Sequence, residues 1–118
     1  MAIEFAIKDR AVGTTHVVSV TGEVDLFTAP TFKQHVMAPV SAGVEHVVVD
    51  LTEATFVDSS SLGVLIGAHR KLSARGGRLV VACSNEAIMK TFTITGLDGL
   101  FGLVDSVEVA LGEDAAAA

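Results

Sequence analysis

His46-Val47-Val48-Val49-Asp50-Leu51 opens a stretch that runs through Phe56-Val57-Asp58-Ser59-Ser60-Ser61-Leu62-Gly63 to Leu72-Ser73-Ala74. The first part is a continuous β-branched run, the pattern of a strand buried on both faces. From Ser60 to Ala74 the apolar residues fall at helical spacing. Leu62, Leu65, Ile66, His69 and Leu72 form one inner stripe, and Gly76-Gly77 stops the helix. Leu79 to Ala82 is a second doubly buried run. Strands that alternate with helices in this way imply parallel pairings joined by right-handed crossovers.

The pattern extends outward on both sides. Residues 3 to 8 alternate, with Ile3, Phe5 and Ile7 on one side and Glu4 and Lys8 on the other, which predicts a half-buried strand. Asp9 to Thr15 contains Gly13 and reads as a turn into a second strand, His16 to Thr21, at hairpin distance. Thr28 is placed to cap a helix and Pro30 suits its first turn. Phe32 and Val36 face inward, and Pro39 is expected to end or kink the helix. Asn85 caps a third helix carrying Ile88, Met89 and Phe92, with Gly96 just past its end. Leu100 to Val104 is a short strand. Asp105 and Glu108 have capping-box spacing ahead of a last helix with Val107, Ala110 and Leu111. The expected architecture is α/β, in the order β-β-α-β-α-β-α-β-α. It is a mixed, mostly parallel sheet of four or five strands with about four helices, in one domain over 1–112. A frayed tail is expected from 113 to 118.

Composition limits the function. The chain has 118 residues, half of them hydrophobic and only 19% charged, which excludes a disordered protein. Eight basic residues face fourteen acidic ones, a net charge of −6, and there is no Trp or Tyr. That argues against direct nucleic-acid binding. No apolar run exceeds Leu62 to Ala68, far short of the ~18 residues a membrane span needs, and Glu4 and Asp9 break any leader-like start. The lone Cys83 precludes an internal disulfide and suits a reducing compartment.

Little in the sequence suggests catalysis. His16, His35, His46 and His69 lack metal-ligand spacing, and Cys83 ends a buried strand as a small hydrophobe. No nucleophile elbow, P-loop or dinucleotide fingerprint occurs. Asp25, Asp50 and Asp58 fall near the carboxyl ends of strands, where carboxylates can hold Mg²⁺ or act as acid and base. No basic or His partner accompanies them in sequence. The three serines at 59–61 stand out. One satisfies the need for an N-cap; three exceed it. The choice lies between capping and a functional site at the carboxyl end of a strand, where open α/β sheets place ligands.

Four segments taken in order narrow this choice: Val20-Thr21-Gly22-Glu23-Val24-Asp25, Val47 to Leu51, Asp58-Ser59-Ser60-Ser61-Leu62-Gly63-Val64, and Thr95-Gly96-Leu97. They resemble, respectively, the G-E-[LIV]-D box, the V-V-x-D/N-L strand, the D-S-[ST]-G-L-G-V segment and the [TS]-G-L of the STAS domain of bacterial anti-sigma factor antagonists. The resemblance covers nearly the whole chain. It implies a cytoplasmic partner-switching protein rather than an enzyme, with no cofactor and no metal. The unphosphorylated form would bind an anti-sigma factor that is also a serine kinase, releasing a sigma factor. Phosphorylation would end binding, and a PP2C-type phosphatase would reset it.

By position the resemblance makes Ser60 the phosphoacceptor, with Ser59 and Ser61 as neighbouring alternatives. Glu23, Asp25, Thr28, Asp58, Ser59, Ser61 and Leu62 would meet the partner. The family's motif glycine is Ser61 here, which adds a Cβ and a competing hydroxyl. Monomer or weak dimer is the expected state. The alternative within the same family is a STAS module of a stressosome-like or lipid-transport assembly; outside it, a small ligand-binding or nucleotide-hydrolysing enzyme using the strand-end carboxylates. Charge is uneven: no Lys or Arg occurs from Gln34 through His69, whereas Arg70, Lys71, Arg75 and Arg78 cluster.

Overall fold

A computed structural model of the chain describes residues 4–117, with side chains through residue 112. Ten elements follow in order: β1 (Ala6–Val12), β2 (Thr15–Val24), α1 (Ala29–Ser41), β3 (His46–Val57), α2 (Ser59–Ser73), β4 (Arg78–Ala82), α3 (Glu86–Ile94), a 3₁₀ turn (Leu97–Gly99), β5 (Gly102–Val104) and α4 (Val107–Ala117). The sheet has five strands in the spatial order β1-β2-β3-β4-β5. The β1–β2 pair is antiparallel and every other pair parallel, as the alternation of strands and helices requires. The expected tail from 113 to 118 falls on residues whose side chains lie outside those described, as does Ile3.

Period-two alternation assigns the two faces. Val18, Val20, Val47, Val49, Leu51, Leu79 and Val81 point to the side carrying α1, α2 and α3, where Phe32, Val36, Leu65, Leu72 and Phe92 complete the main core. Val17, Val48, Val80 and Ala82 point the other way, onto Val107 and Ala110 of α4. The consecutive valines of β3 are therefore buried on both sides, as a doubly covered strand demands. Because α1, α2 and α3 share one face, each crossover advances the sheet by one strand in the same direction.

Several boundaries depart from the sequence reading. β1 runs on to Val12, and the hairpin is only two residues long, with Val12 paired to Thr15. Gly13 takes φ +61° at the first central position while Thr14 stays at negative φ, the II′ pattern that matches strand twist. Asp9 to Val12, expected within the turn, are instead strand; they read as a turn because this end of β1 is an edge with little burial. β3 continues from Leu51 to Val57. Its second half was hidden because two register shifts against β2, both adding a residue on β3, break the alternation. Asp50 is consequently mid-strand rather than at a strand end.

Helix ends differ as well. α1 passes through Pro39 and ends at Ser41; the missing N–H falls in the last turn, where it costs one helical bond. The Asp105 capping box does not form. α4 starts at Val107, and Ser106 Oγ accepts from Val109 N at 3.2 Å. β5 is shorter than Leu100 to Val104 because the 3₁₀ turn takes up the chain just before it.

The far ends of α1 and α2 are pinned together. Arg75 donates to the carbonyls of Val40 (2.6 Å) and Val44 (2.7 Å), closing the carboxyl end of α1 with a guanidinium. At Gly77 a Cβ would sit 2.3 Å from the Glu45 carbonyl oxygen, so only glycine allows α2 to turn into β4 beside the start of β3. Part of the basic cluster is thus structural.

Candidate functional site

Two connections meet at the carboxyl end of the sheet. One is the β2–α1 loop, Asp25 to Thr28; the other is the junction of β3 and α2 at Asp58. They are tied by Asp58 N donating to Val24 O at 3.0 Å. In the first, Asp25 Oδ1 accepts from Phe27 N (2.9 Å) and Thr28 N (3.0 Å). Thr28 precedes α1, but its side chain makes no cap bond to the helix. Its hydroxyl instead donates to Glu23 O at 2.8 Å and accepts from Asp25 N at 2.9 Å. Asp25 and Thr28 therefore shape a tight loop whose tip, Leu26 and Phe27, projects outward.

In the second, the helix cap is Asp58, in an extended conformation, and not a serine. Ser59, Ser60 and Ser61 form the first turn of α2. Asp58 Oδ1 accepts from Ser61 N at 3.0 Å, from Ser61 Oγ at 2.8 Å and from Ser60 Oγ at 2.8 Å. Burial works to raise the Asp58 carboxyl, but the bonds from Ser60 and Ser61 together hold it below the usual carboxylate range. The cap is thus an ionised acceptor at neutral pH. The serines differ sharply in access: Ser59 and Ser60 are exposed, whereas Ser61 is fully buried at 0%. Leu62 is buried in the main core, and Glu23 is exposed at the end of β2.

The structure brings Glu23, Asp25, Thr28, Asp58 and the three serines to one end of the sheet. It does not bring Asp50 there. Asp50 Oδ1 accepts from Thr52 N (3.0 Å) and Thr52 Oγ1 (2.6 Å), and its Oδ2 accepts from Ser19 at 3.2 Å, so its role is to hold the bulged part of β3. Cys83 is buried, and burial pushes its thiol up. Among the described residues no group of His, Cys, Asp or Glu is arranged to hold a metal ion, and no helix is long and apolar enough to cross a membrane.

Sequence reading missed the exposed apolar residues at this end of the sheet. Leu26 is 76% exposed, Phe27 87% and Phe56 48%. Phe56 lies opposite Glu23 in the β2–β3 ladder, two residues before Asp58, whose N–H makes the tie that joins the two connections. The available signal was two large apolar residues side by side directly after Glu23-Val24-Asp25, in a segment with no helical or strand period. A groove of about 720 Å³ also runs between α1 and α2, lined by Leu26, Met37, Ser60 and Val64, with Lys33 and Lys71 at its walls. A second cluster was hidden by sequence distance. His16 Nε2 and His35 Nδ1 both reach the Asp9 carboxylate, joining β2 and α1 to β1.

A five-stranded mixed sheet with a serine-rich helix start beside a G-E-x-D loop defines a STAS domain. The chain belongs to the STAS domain family, whose model matches residues 5–110. It is 36% identical over 102 residues to the anti-sigma-B factor antagonist of Listeria monocytogenes serovar 1/2a, covering 85% of this chain and 87% of that protein. The crystal structure of an anti-sigma factor antagonist from Mycobacterium paratuberculosis is 31% identical. It aligns with a TM-score of 0.82 over 95% of this chain and 93% of that one. The anti-sigma factor antagonist SpoIIAA in its unphosphorylated form shares the fold at 22% identity and a TM-score of 0.81, over 94% and 97% of the two chains. A phosphorylated form of the Bacillus SpoIIAA aligns at 22% identity and 0.70, over 93% and 98%.

Proposed function

We propose that the chain is an anti-sigma factor antagonist that switches partners through phosphorylation of Ser60. The observation that carries this reading is one exposed hydroxyl, held on a capping carboxylate at a helix start, with the exposed Leu26 lining the same groove. The apolar residues supply what a partner surface needs, since aromatic anchors dominate binding energy. The relatives described above are named as anti-sigma factor antagonists, which supports the antagonist part of the reading. The chain acts in the cytoplasm, and its partner is an anti-sigma factor with serine kinase activity. A PP2C-type phosphatase reverses the modification. The protein supplies the acceptor hydroxyl and no catalytic group of its own.

Transfer of the γ-phosphoryl group of ATP forms the Ser60 Oγ–P bond, breaks the bridging bond to the β-phosphate, and releases ADP and the serine proton. The new group carries about −1.5 to −2 charges at neutral pH. The α2 dipole favours an anion at its start by roughly 0.3–1 kcal/mol. Repulsion from Asp58 opposes this by a similar amount, so the fold changes little. SpoIIAA, a protein of this fold, has a phosphorylated form. The partner interface responds differently. Burying an unpaired phosphate there costs several kcal/mol, and about 3 kcal/mol already weakens binding more than a hundredfold.

Ser61 opposes modification at its own position, because a kinase cannot reach a hydroxyl that is 0% exposed. Incubating the protein with its cognate anti-sigma kinase and ATP, then mapping phosphate by mass spectrometry, tests the reading. Phosphate on Ser60 is expected. Phosphate on neither Ser60 nor a neighbouring serine overturns it.

A further inference from the structure

We propose that Ser61 is a positioning residue: its buried hydroxyl clamps Asp58 so that α2 stays capped when Ser60 no longer donates to that carboxylate. The regulatory meaning rests on Ser60 being the modified serine; the clamp itself rests on geometry. Asp58 Oδ1 receives three hydrogens, one from exposed Ser60 and two from buried Ser61. A carboxylate oxygen has two lone pairs, so the three donors share it. Phosphorylation replaces the Ser60 O–H by O–P, which removes one donor and sets an anion beside Asp58. With glycine at position 61 a single backbone N–H would then hold the cap against that repulsion. With serine, a second donor remains. The Ser61 hydroxyl is fully buried, so it requires an acceptor within the protein, and Asp58 is that acceptor. The same packing that removes Ser61 from solvent makes it hold Asp58 in place.

The clamp predicts an interaction between positions 60 and 61 that a merely structural serine would not show. Four proteins are compared by thermal melting: the wild type, Ser60→Asp, Ser61→Ala and the double variant. Ser60→Asp mimics the loss of the donor and the added charge. If Ser61 holds the cap, Ser60→Asp alone shifts Tm little, and the double variant loses about 3–5 °C more than the sum of the single changes. Amide hydrogen exchange at position 61 reports the cap directly. It is expected to stay protected in both single variants and to speed up about tenfold or more in the double variant. Ser61→Gly, taken through the same cycle, guards against a fold defect peculiar to alanine. Additive Tm losses with unchanged exchange at position 61 overturn the clamp, whether or not a kinase modifies Ser60. Coupled losses support it, and a kinase that leaves Ser60 unmodified then counts against the functional reading alone.

Discussion

At the scale of single residues, Asp58 organises the site. It ends β3, caps α2, ties the β2–α1 loop through its N–H, and accepts from two serine hydroxyls. Replacing it with alanine is expected to lower stability by about 1–2 kcal/mol, as loss of a helix cap does, measured by urea unfolding. It also frees Ser60 from its hydrogen bond. The carboxyl is held below its ordinary value of 3.8 in the folded protein. A depressed folded pKa contributes stability that is present above the unfolded value and lost as pH falls through the folded one. Between pH 5 and pH 2 the wild type should therefore lose stability more steeply than Asp58→Asn; equal slopes would show that the cap carbonyl alone matters. Sequence alone placed Asp58 and Ser60 beside each other at the helix start. It could not separate capping from function for the serines, because Ser and Asp are both good caps, and which one takes the extended conformation is decided by the tie to Val24. Nor could it show that Ser60 faces water while Ser61 faces the core.

At the scale of elements, β1 is an edge strand of the sheet. It has one neighbour, β2, and most of its side chains are exposed. Asp9 fastens it: His16 from β2 and His35 from α1 each donate a ring N–H to its two oxygens, which as carboxylate can only accept. Burial works to raise the Asp9 carboxyl, and the two imidazoles outweigh it and lower it. Asp9→Ala should accelerate hydrogen exchange of the β1 amides about tenfold while leaving β3 unchanged; equal acceleration in both strands would mean that β1 is not a separate unit. Elements with a strong apolar period, β3's first half, β4, α2 and α3, were legible from sequence. The far end of β1 and the second half of β3 were not: the exposed end of an edge strand carries no apolar alternation, and bulges disrupt it in β3. The Asp9 cluster was invisible for another reason: its three residues lie on three elements, and only the folded sheet joins them.

At the scale of the whole molecule, one end of the sheet gathers Ser60, the acidic residues Glu23, Asp25 and Asp58, and the uncovered Leu26, Phe27 and Phe56. The other end holds Arg75 on the carboxyl end of α1. The family followed from four short motifs spread along the chain, and the same motifs pointed to Ser60 as the serine proposed to be modified. The apolar anchors did not, because exposure of a hydrophobic residue is a property of the fold. Phe27 is 87% exposed, so Phe27→Ala should leave folding stability within about 0.5 kcal/mol. As an anchor it should cost about 2 kcal/mol of partner binding, roughly thirtyfold in Kd. Unchanged affinity would remove this surface from the interface.

The most direct test of the switch is the affinity of the anti-sigma kinase for three forms of the protein, measured by calorimetry without ATP. Wild type and Ser60→Ala should bind alike, and protein phosphorylated on Ser60 should bind at least a hundredfold more weakly. Equal affinity for the phosphorylated and unphosphorylated forms would contradict the account.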